Sequence, residues 1–224
     1  MPTPRKLPKT ASVALPSENG KLHAPSACRN VGAIVDALTP LAPSRGKALE
    51  IASGTGEHMV RFAAAFPALS WQPTDIEPAR LNSIAAWCDE AGLTNVNPPV
   101  ILDATVAGWA EGFGGQNLIF LSNLLHLISP EEANTIIAES AKALAPGGLL
   151  VIYGPFLRGD DFASEADRQF DESLRAEASE IGYKSFESIQ ELQSKAGLVA
   201  LAPIAMPSSN LLLVAKHAPR GSKN

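Results

Sequence analysis

The stretch Lys47-Ala48-Leu49-Glu50-Ile51-Ala52-Ser53 runs directly into Gly54-Thr55-Gly56-Glu57. Its first half reads as a short buried strand and its second half as a loop of small residues. From Glu57 to Phe66 the spacing turns helical, with His58, Met59, Phe62, Ala63 and Phe66 available to pack, and Pro67 stops the helix. Strand, glycine loop and helix in that order are the setting in which such a loop signifies nucleotide binding. Gly54 and Gly56 allow close backbone approach, and the helix start offers unpaired N–H groups. The three-glycine dinucleotide fingerprint is missing, because Met59 stands where its last glycine belongs, and no Lys-Ser/Thr pair follows. A nicotinamide dinucleotide or a nucleoside triphosphate is therefore disfavoured as ligand.

The alternation continues downstream. A second strand covers Leu69 to about Thr74 and ends on Asp75, and Pro78 sits in the first turn of a helix that Gly92 terminates. Val100–Leu102 is a third strand ending at Asp103, followed by a Gly-rich stretch with a short helix expected near Trp109. Asn117–Ser122 is a fourth strand, apolar throughout as parallel strands covered on both faces are. Ser129 and Pro130 open a helix over 131–144, and Ala145-Pro146-Gly147-Gly148 reads as the turn into a fifth strand at 149–154. Upstream, Ser26 to Leu38 has the spacing of a short helix. Five strands joined by crossovers predict a doubly wound α/β sheet. Residues 160–180 and 185–196 read as helices, and Leu198–Ala205 and Asn210–Lys216 as a hairpin at the sheet edge. The expected architecture is Rossmann-like, with a mostly parallel seven-stranded sheet and an antiparallel C-terminal strand. The expected division is a flexible lead at 1–20, one domain over 21–217 with a helical insert at 155–196, and a flexible tail at 218–224.

Composition narrows the classes further. The 224 residues are 46% hydrophobic and 18% charged, with formal net charge -5. A globular chain of this size buries about 70% of its surface without disulfides or metals. No long basic run supplies the electrostatic footprint of a nucleic-acid partner. Cys28 and Cys88 define neither a disulfide framework nor a metal cluster, which favours a cytoplasmic protein. The opening residues are polar and proline-broken, unlike a signal peptide, and no stretch nears the roughly 18 apolar residues of a membrane span.

Asp75 lies 21 residues beyond Gly54, where a carboxylate accepts both ribose hydroxyls. Asp103 ends the neighbouring strand, placed for the adenine amino group. A glycine loop, a ribose acid and an adenine acid without a pyrophosphate cradle describe a nucleoside carrying an amino acid. That ligand is S-adenosyl-L-methionine, with S-adenosyl-L-homocysteine as product.

The segments LEIASGTGEHMVRFAAAFP, WQPTDIE, SNLLHLISPEE, LAPGGLLVIYGPF and FDESLR resemble the DUF938 family, a methyltransferase-like group that includes methyltransferase-like protein 26. The resemblance spans about residues 23–216 and implies a class I S-adenosylmethionine-dependent methyltransferase. It implies that Arg29 and Asn30 close over the methionine end, with Arg29 meeting the carboxylate. Glu50, Ala52, Ser53, Gly54, Gly56 and His58 belong to the first strand, loop and helix. Asp75 and Ile76 match the ribose edge, Asp103 and Ala104 the adenine end, and Ser122 the strand exit facing the methionine moiety. Two stretches depart from the family pattern, Ile181-Gly182-Tyr183-Lys184-Ser185 and Met206-Pro207-Ser208-Ser209-Asn210, and both are expected to border the acceptor pocket. A specialised small-molecule acceptor follows as the expectation.

Methyl transfer from a sulfonium is an in-line displacement that alignment accelerates, and a base is needed only for a protonated acceptor. His126 is the candidate base, four residues past the fourth strand, and Tyr153, at the end of the fifth, is a second catalytic candidate lining the pocket. Phe156, Phe170 and Tyr183 are candidate walls for the acceptor, Arg158 a partner for an acidic one, and Asn210 an orienting group. His23, His58, His126 and His217 lack metal-ligand spacing, so no metal is expected. A protein methyltransferase and a non-catalytic binder of the same cofactor remain alternatives. The terminal hairpin edge leans the reading towards a homodimer.

Overall fold

A computed structural model describes residues 14–218, so the first part of the expected lead and all but the first residue of the expected tail lie outside the described residues. The chain enters as a short antiparallel ribbon, β1 (Leu15–Pro16) and β2 (Leu22–His23). The ribbon leads into α1 (Pro25–Leu38), and β3 (Gly46–Ile51), α2 (Glu57–Ala65), β4 (Leu69–Asp75) and α3 (Pro78–Glu90) follow. Next come β5 (Val100–Ile101), β6 (Gln116–Ser122), α4 (Pro130–Ala143) and β7 (Leu144–Gly154). The last third holds α5 (Glu165–Glu177), α6 (Phe186–Lys195), β8 (Leu198–Ala200), β9 (Ile204–Ala205) and β10 (Leu211–His217).

The main sheet runs β5-β4-β3-β6-β7-β10-β8, with β9 also paired to β10. The five strands from β3 to β7 are mutually parallel, whereas β10 is antiparallel to β7, β8 and β9. The chain winds outward from β3 through β4 to β5, then returns to place β6 on the other flank of β3. That reversal opens a crevice at the carboxyl ends of β3 and β6, where sheets of this kind take ligands.

Strand alternation divides the core into two layers. Ala48, Leu118, Phe120, Val151, Leu212 and Val214 face α1, α2 and α3. Leu49, Ile51, Ile119, Leu121, Ile152 and Leu213 face α4 and α6. Both faces are covered, which explains why the strands read as unbroken apolar runs. The same alternation sends Glu50 and Tyr153 into the α1/α2 layer, each nearly inaccessible to solvent.

Two segments differ from the sequence reading. Ala145–Gly148, expected as a turn before the fifth strand, is a bulge within β7, whose pairing with β6 jumps from Gln116–Leu144 to Leu118–Leu149. The expected strand over 198–205 is split into β8 and β9. Within the segment 155–196, α6 covers the sheet through Ile189 and Leu192. Separately, α5 packs through Leu174 on a side cluster with Leu127, Ile181 and Tyr183. The β1–β2 ribbon is tied to α3 by Leu22 N–H to Ser83 Oγ (2.7 Å), Trp87 Nε1 to the Leu22 carbonyl (2.9 Å), and a Lys21–Glu90 ion pair (2.6 Å). No helix among the described residues is long and apolar enough to cross a membrane.

Candidate functional site

The crevice at the switch point is a cleft of about 1060 Å³, counting its solvent-open mouth. Its floor is the loop after β3. Ala52 (φ 54°) and Gly54 (φ 60°) both take the left-handed conformation there. That conformation is natural for glycine and costs an alanine about 1 kcal/mol, so the loop is strained where a ligand would approach. A Cβ on Gly54 would meet nothing closer than Arg80 Nη1 at 3.9 Å, which leaves that side open. Gly56 (φ 96°) does a different job: a Cβ there would come within 2.8 Å of the Ile84 α-carbon, so its bareness lets α2 lie against α3.

Asp75 ends β4 and lines the cleft, only 2% exposed. Its Oδ2 accepts the Gly54 N–H (2.9 Å) and its Oδ1 accepts the Glu77 N–H (3.1 Å). Burial raises the Asp75 pKa, opposed by the Arg80 guanidinium and these two amides. Asp103 accepts from both the Thr105 N–H (3.0 Å) and hydroxyl (2.5 Å) through Oδ1. Leu102, Ala104, Ile128 and Ile136 line the cleft on that side as an apolar slot.

At the opposite end His58 and Ser122 line the cleft. The imidazole bridges Asn30 Oδ1 at Nε2 (2.7 Å) and Ser122 Oγ at Nδ1 (3.2 Å), and it lies edge-on to Phe120 and stacked on Phe62. An amide oxygen only accepts, so Nε2 carries the hydrogen and Nδ1 accepts from the serine hydroxyl. Burial pushes the His58 pKa down to about 4, so the ring is neutral at neutral pH. Asn30 also hydrogen-bonds Tyr153, whose hydroxyl takes a further bond from Asn210 Nδ2 (3.0 Å). Glu50 lies behind the loop with Oε2 unpartnered, and burial pushes its pKa up to about 8.

Of the residues singled out from the sequence, Ala52, Ser53, Gly54, His58, Asp75, Ile76, Asp103, Ala104 and Ser122 meet at the cleft. Asn30 and Glu50 stand behind it, and Gly56 serves helix packing. Arg29 is exposed and does not line the cleft, where α1 instead presents Ser26 and Ala27. The residues assigned to the acceptor are not gathered there either. His126 is turned into the side cluster, its ring 5.8 Å from Phe170 and 6.0 Å from Tyr183, and burial pushes its pKa down to about 3. Phe156 is in the α4/α6 layer. Tyr183 donates its hydroxyl to Asp167 (3.1 Å), and Arg158 Nη2 donates to the Ser209 carbonyl (3.1 Å). Sequence reasoning missed Arg80 and Asn123, which both line the cleft. Asn123 had a signal, since it directly follows the fourth strand and is a residue that tolerates the left-handed conformation it adopts (φ 52°). No group of three or more metal-ligating side chains occurs among the described residues.

A family profile described as "Protein of unknown function (DUF938)" matches residues 21–217. Among solved structures, an O-methyltransferase family protein from Burkholderia thailandensis aligns with TM-score 0.73 at 18% identity, over 85% of this chain and 57% of that one. An O-methyltransferase family 2 protein from Planctomyces limnophilus, solved with apigenin, aligns with TM-score 0.71 at 20% identity, over 85% and 58%. CalO1, a methyltransferase in calicheamicin biosynthesis in its SAH-bound form, aligns with TM-score 0.68 at 14% identity, over 87% and 54%. The chain spans a little over half the length of these proteins. The likeness is one of fold: a Rossmann-like methyltransferase sheet with its antiparallel strand.

Proposed function

This chain belongs to the DUF938 family, and on that footing we propose that it is an S-adenosylmethionine-dependent methyltransferase acting on an oxygen, nitrogen or sulfur of a small-molecule acceptor. The observation that carries the reading is the pairing of Asp75 with the Gly54 amide at the carboxyl edge of β4, beside Asp103 on β5's exit. Two acids on adjacent strand ends, a bare glycine and an apolar slot suit an adenosine. Among the described residues no lysine lines the cleft to cradle a pyrophosphate.

The residues present fit the cofactor. Asp75 would hold the ribose diol, Asp103 the adenine amino group, and Ser122 with His58 the methionine end. When bound, the cofactor supplies an electrophilic methyl on a sulfonium. A neutral His58 would add no positive charge near a bound sulfonium. The Asn30–His58–Ser122 chain fixes the serine hydroxyl towards the imidazole and leaves its oxygen lone pairs for the cleft. Displacement at a methyl group needs alignment above all, and these positions lie on rigid strand ends.

A second reading, a protein that binds the cofactor without transferring its methyl, has one observation in its favour. His126 and Tyr153, the two catalytic candidates, are packed away from the cleft.

Calorimetric titration with S-adenosylmethionine and S-adenosylhomocysteine, with Asp75→Ala as control, tests the site. Micromolar binding lost in the variant is expected, and acceptor screening with a labelled methyl then separates transfer from binding alone. Absence of binding by either ligand would sink the assignment.

A further inference from the structure

The cleft carries one arginine among its described lining residues, and the adenosine reading leaves it without a task. Arg80 projects from the first turn of α3, its side chain 12% exposed. Its Nη1 lies 3.9 Å from Asp75 Oδ2, and its Nε lies 3.3 Å from Glu77 Oε2. Asp75 needs such a neighbour. Its carboxyl is nearly dry, and the other titratable groups that face it are acids: Glu77 at the start of α3, and Glu50 from β3, whose own pKa burial raises to about 8. Two backbone amides oppose the rise, and Arg80 is the positive charge that opposes it with them.

We propose that Arg80 is a positioning residue for the nucleoside subsite, holding Asp75 as a carboxylate so that both of its oxygens are ready for a vicinal diol. The inference rests on the methyltransferase reading above. A carboxylate accepts from both hydroxyls of a diol, whereas a protonated acid turns one oxygen into a donor and accepts from only one of them. At 3.9 Å the guanidinium acts through charge and leaves open the lone pairs that the Gly54 and Glu77 amides do not take. A tight bidentate pair would occupy them. The offset is thus the useful geometry: near enough to set the charge, too far to compete for the oxygens.

The test is the affinity for S-adenosylhomocysteine by calorimetry at pH 6 and pH 8, in the unaltered chain, Arg80→Met, Arg80→Lys and Asp75→Asn. Affinity is taken relative to the unaltered chain at the same pH, which removes the titration of Glu50. Arg80→Met is expected to bind about tenfold more weakly at pH 6, with a smaller loss at pH 8, because burial raises the Asp75 pKa and the guanidinium opposes that rise. Arg80→Lys keeps the charge and is expected to stay within about threefold at both. Asp75→Asn, neutral throughout, is expected to be weak at both. A loss in Arg80→Met that is equal at the two pH values marks a packing role and overturns the proposal, as does an unchanged affinity. Circular dichroism on Arg80→Lys guards against misfolding. Failure of the unaltered chain to bind at either pH overturns the methyltransferase reading itself, a result distinct from any of these.

Discussion

The α-carbon of Ile84 stands 2.8 Å from the point a Gly56 Cβ would occupy, so the first turn of α2 rests on the backbone of α3. Gly54, two residues earlier, has only a flexible guanidinium near its open side. The two glycines of one loop therefore answer to different forces.

Gly56→Ala forces both a left-handed alanine and a backbone collision, and about 3 kcal/mol of stability is expected to be lost. Gly54→Ala meets only the conformational penalty, about 1 kcal/mol, while narrowing the cleft. Urea denaturation ranks the two, and S-adenosylhomocysteine titration is expected to rank them in the opposite order of specific effect: Gly54→Ala folded but weakly binding.

The buried histidines set the acid limit of the fold. His58 and His126 have pKa values pushed down to about 4 and about 3 by burial, against 6.5 in the unfolded chain. The stability they contribute is complete above pH 6.5. It is lost as pH falls towards 4, because the unfolded chain binds protons that the fold refuses, at up to about 1.4 kcal/mol per pH unit for each ring. His126→Phe suits its aromatic surroundings and is expected to flatten the fall in unfolding free energy between pH 6.5 and 5. An unchanged slope contradicts this.

Glu50 works in the other direction. Its pKa is raised from 4.5 to about 8, so the stability linked to it is complete below pH 4.5 and is lost as pH rises through 8. Glu50→Gln keeps the shape and removes the titration. The variant is expected to gain on the unaltered chain with rising pH, on the order of 1 kcal/mol per unit between pH 5 and 8. Paired denaturation curves at those two values check it.

Asp171 fastens α5 to the following segment, accepting the Tyr183 N–H (2.6 Å) and Arg175 Nε (2.7 Å). Asp171→Ala leaves the buried Tyr183 amide unpaired, at a cost of about 2 kcal/mol. Limited proteolysis is expected to accelerate between residues 160 and 185. Cofactor affinity is expected to hold, because neither α5 nor Asp171 lines the cleft.

The sheet, the glycine loop and the placement of Asp75 and Asp103 at the cleft were legible because each depends on local pattern: alternation along a strand, and a carboxylate at or just past its end. The failures come from rotation. On α1 the buried stripe runs through Ala27, Val31, Ile34 and Leu38, with Asn30 on it. Arg29, two residues past Ala27, points about 200° away, which motif matching does not register. After β6 the chain makes a 3-10 turn at Leu125–Leu127. Three residues per turn align Leu124 with Leu127 towards the cleft and send His126 elsewhere. Arg80 was missed because its meaning lies in the distance between a helix and a strand end.

The placement of β10 between β7 and β8 bears on how the protein is made. Until residues 211–217 arrive, β7 and β8 face each other across a missing rung, each showing a row of bare amides and carbonyls. A partly synthesised chain in that condition is an invitation to strands from other chains. A ribosome stalled before that segment would therefore hold a sticky fragment, and shielding of the gap by a chaperone during translation would raise the yield of finished protein.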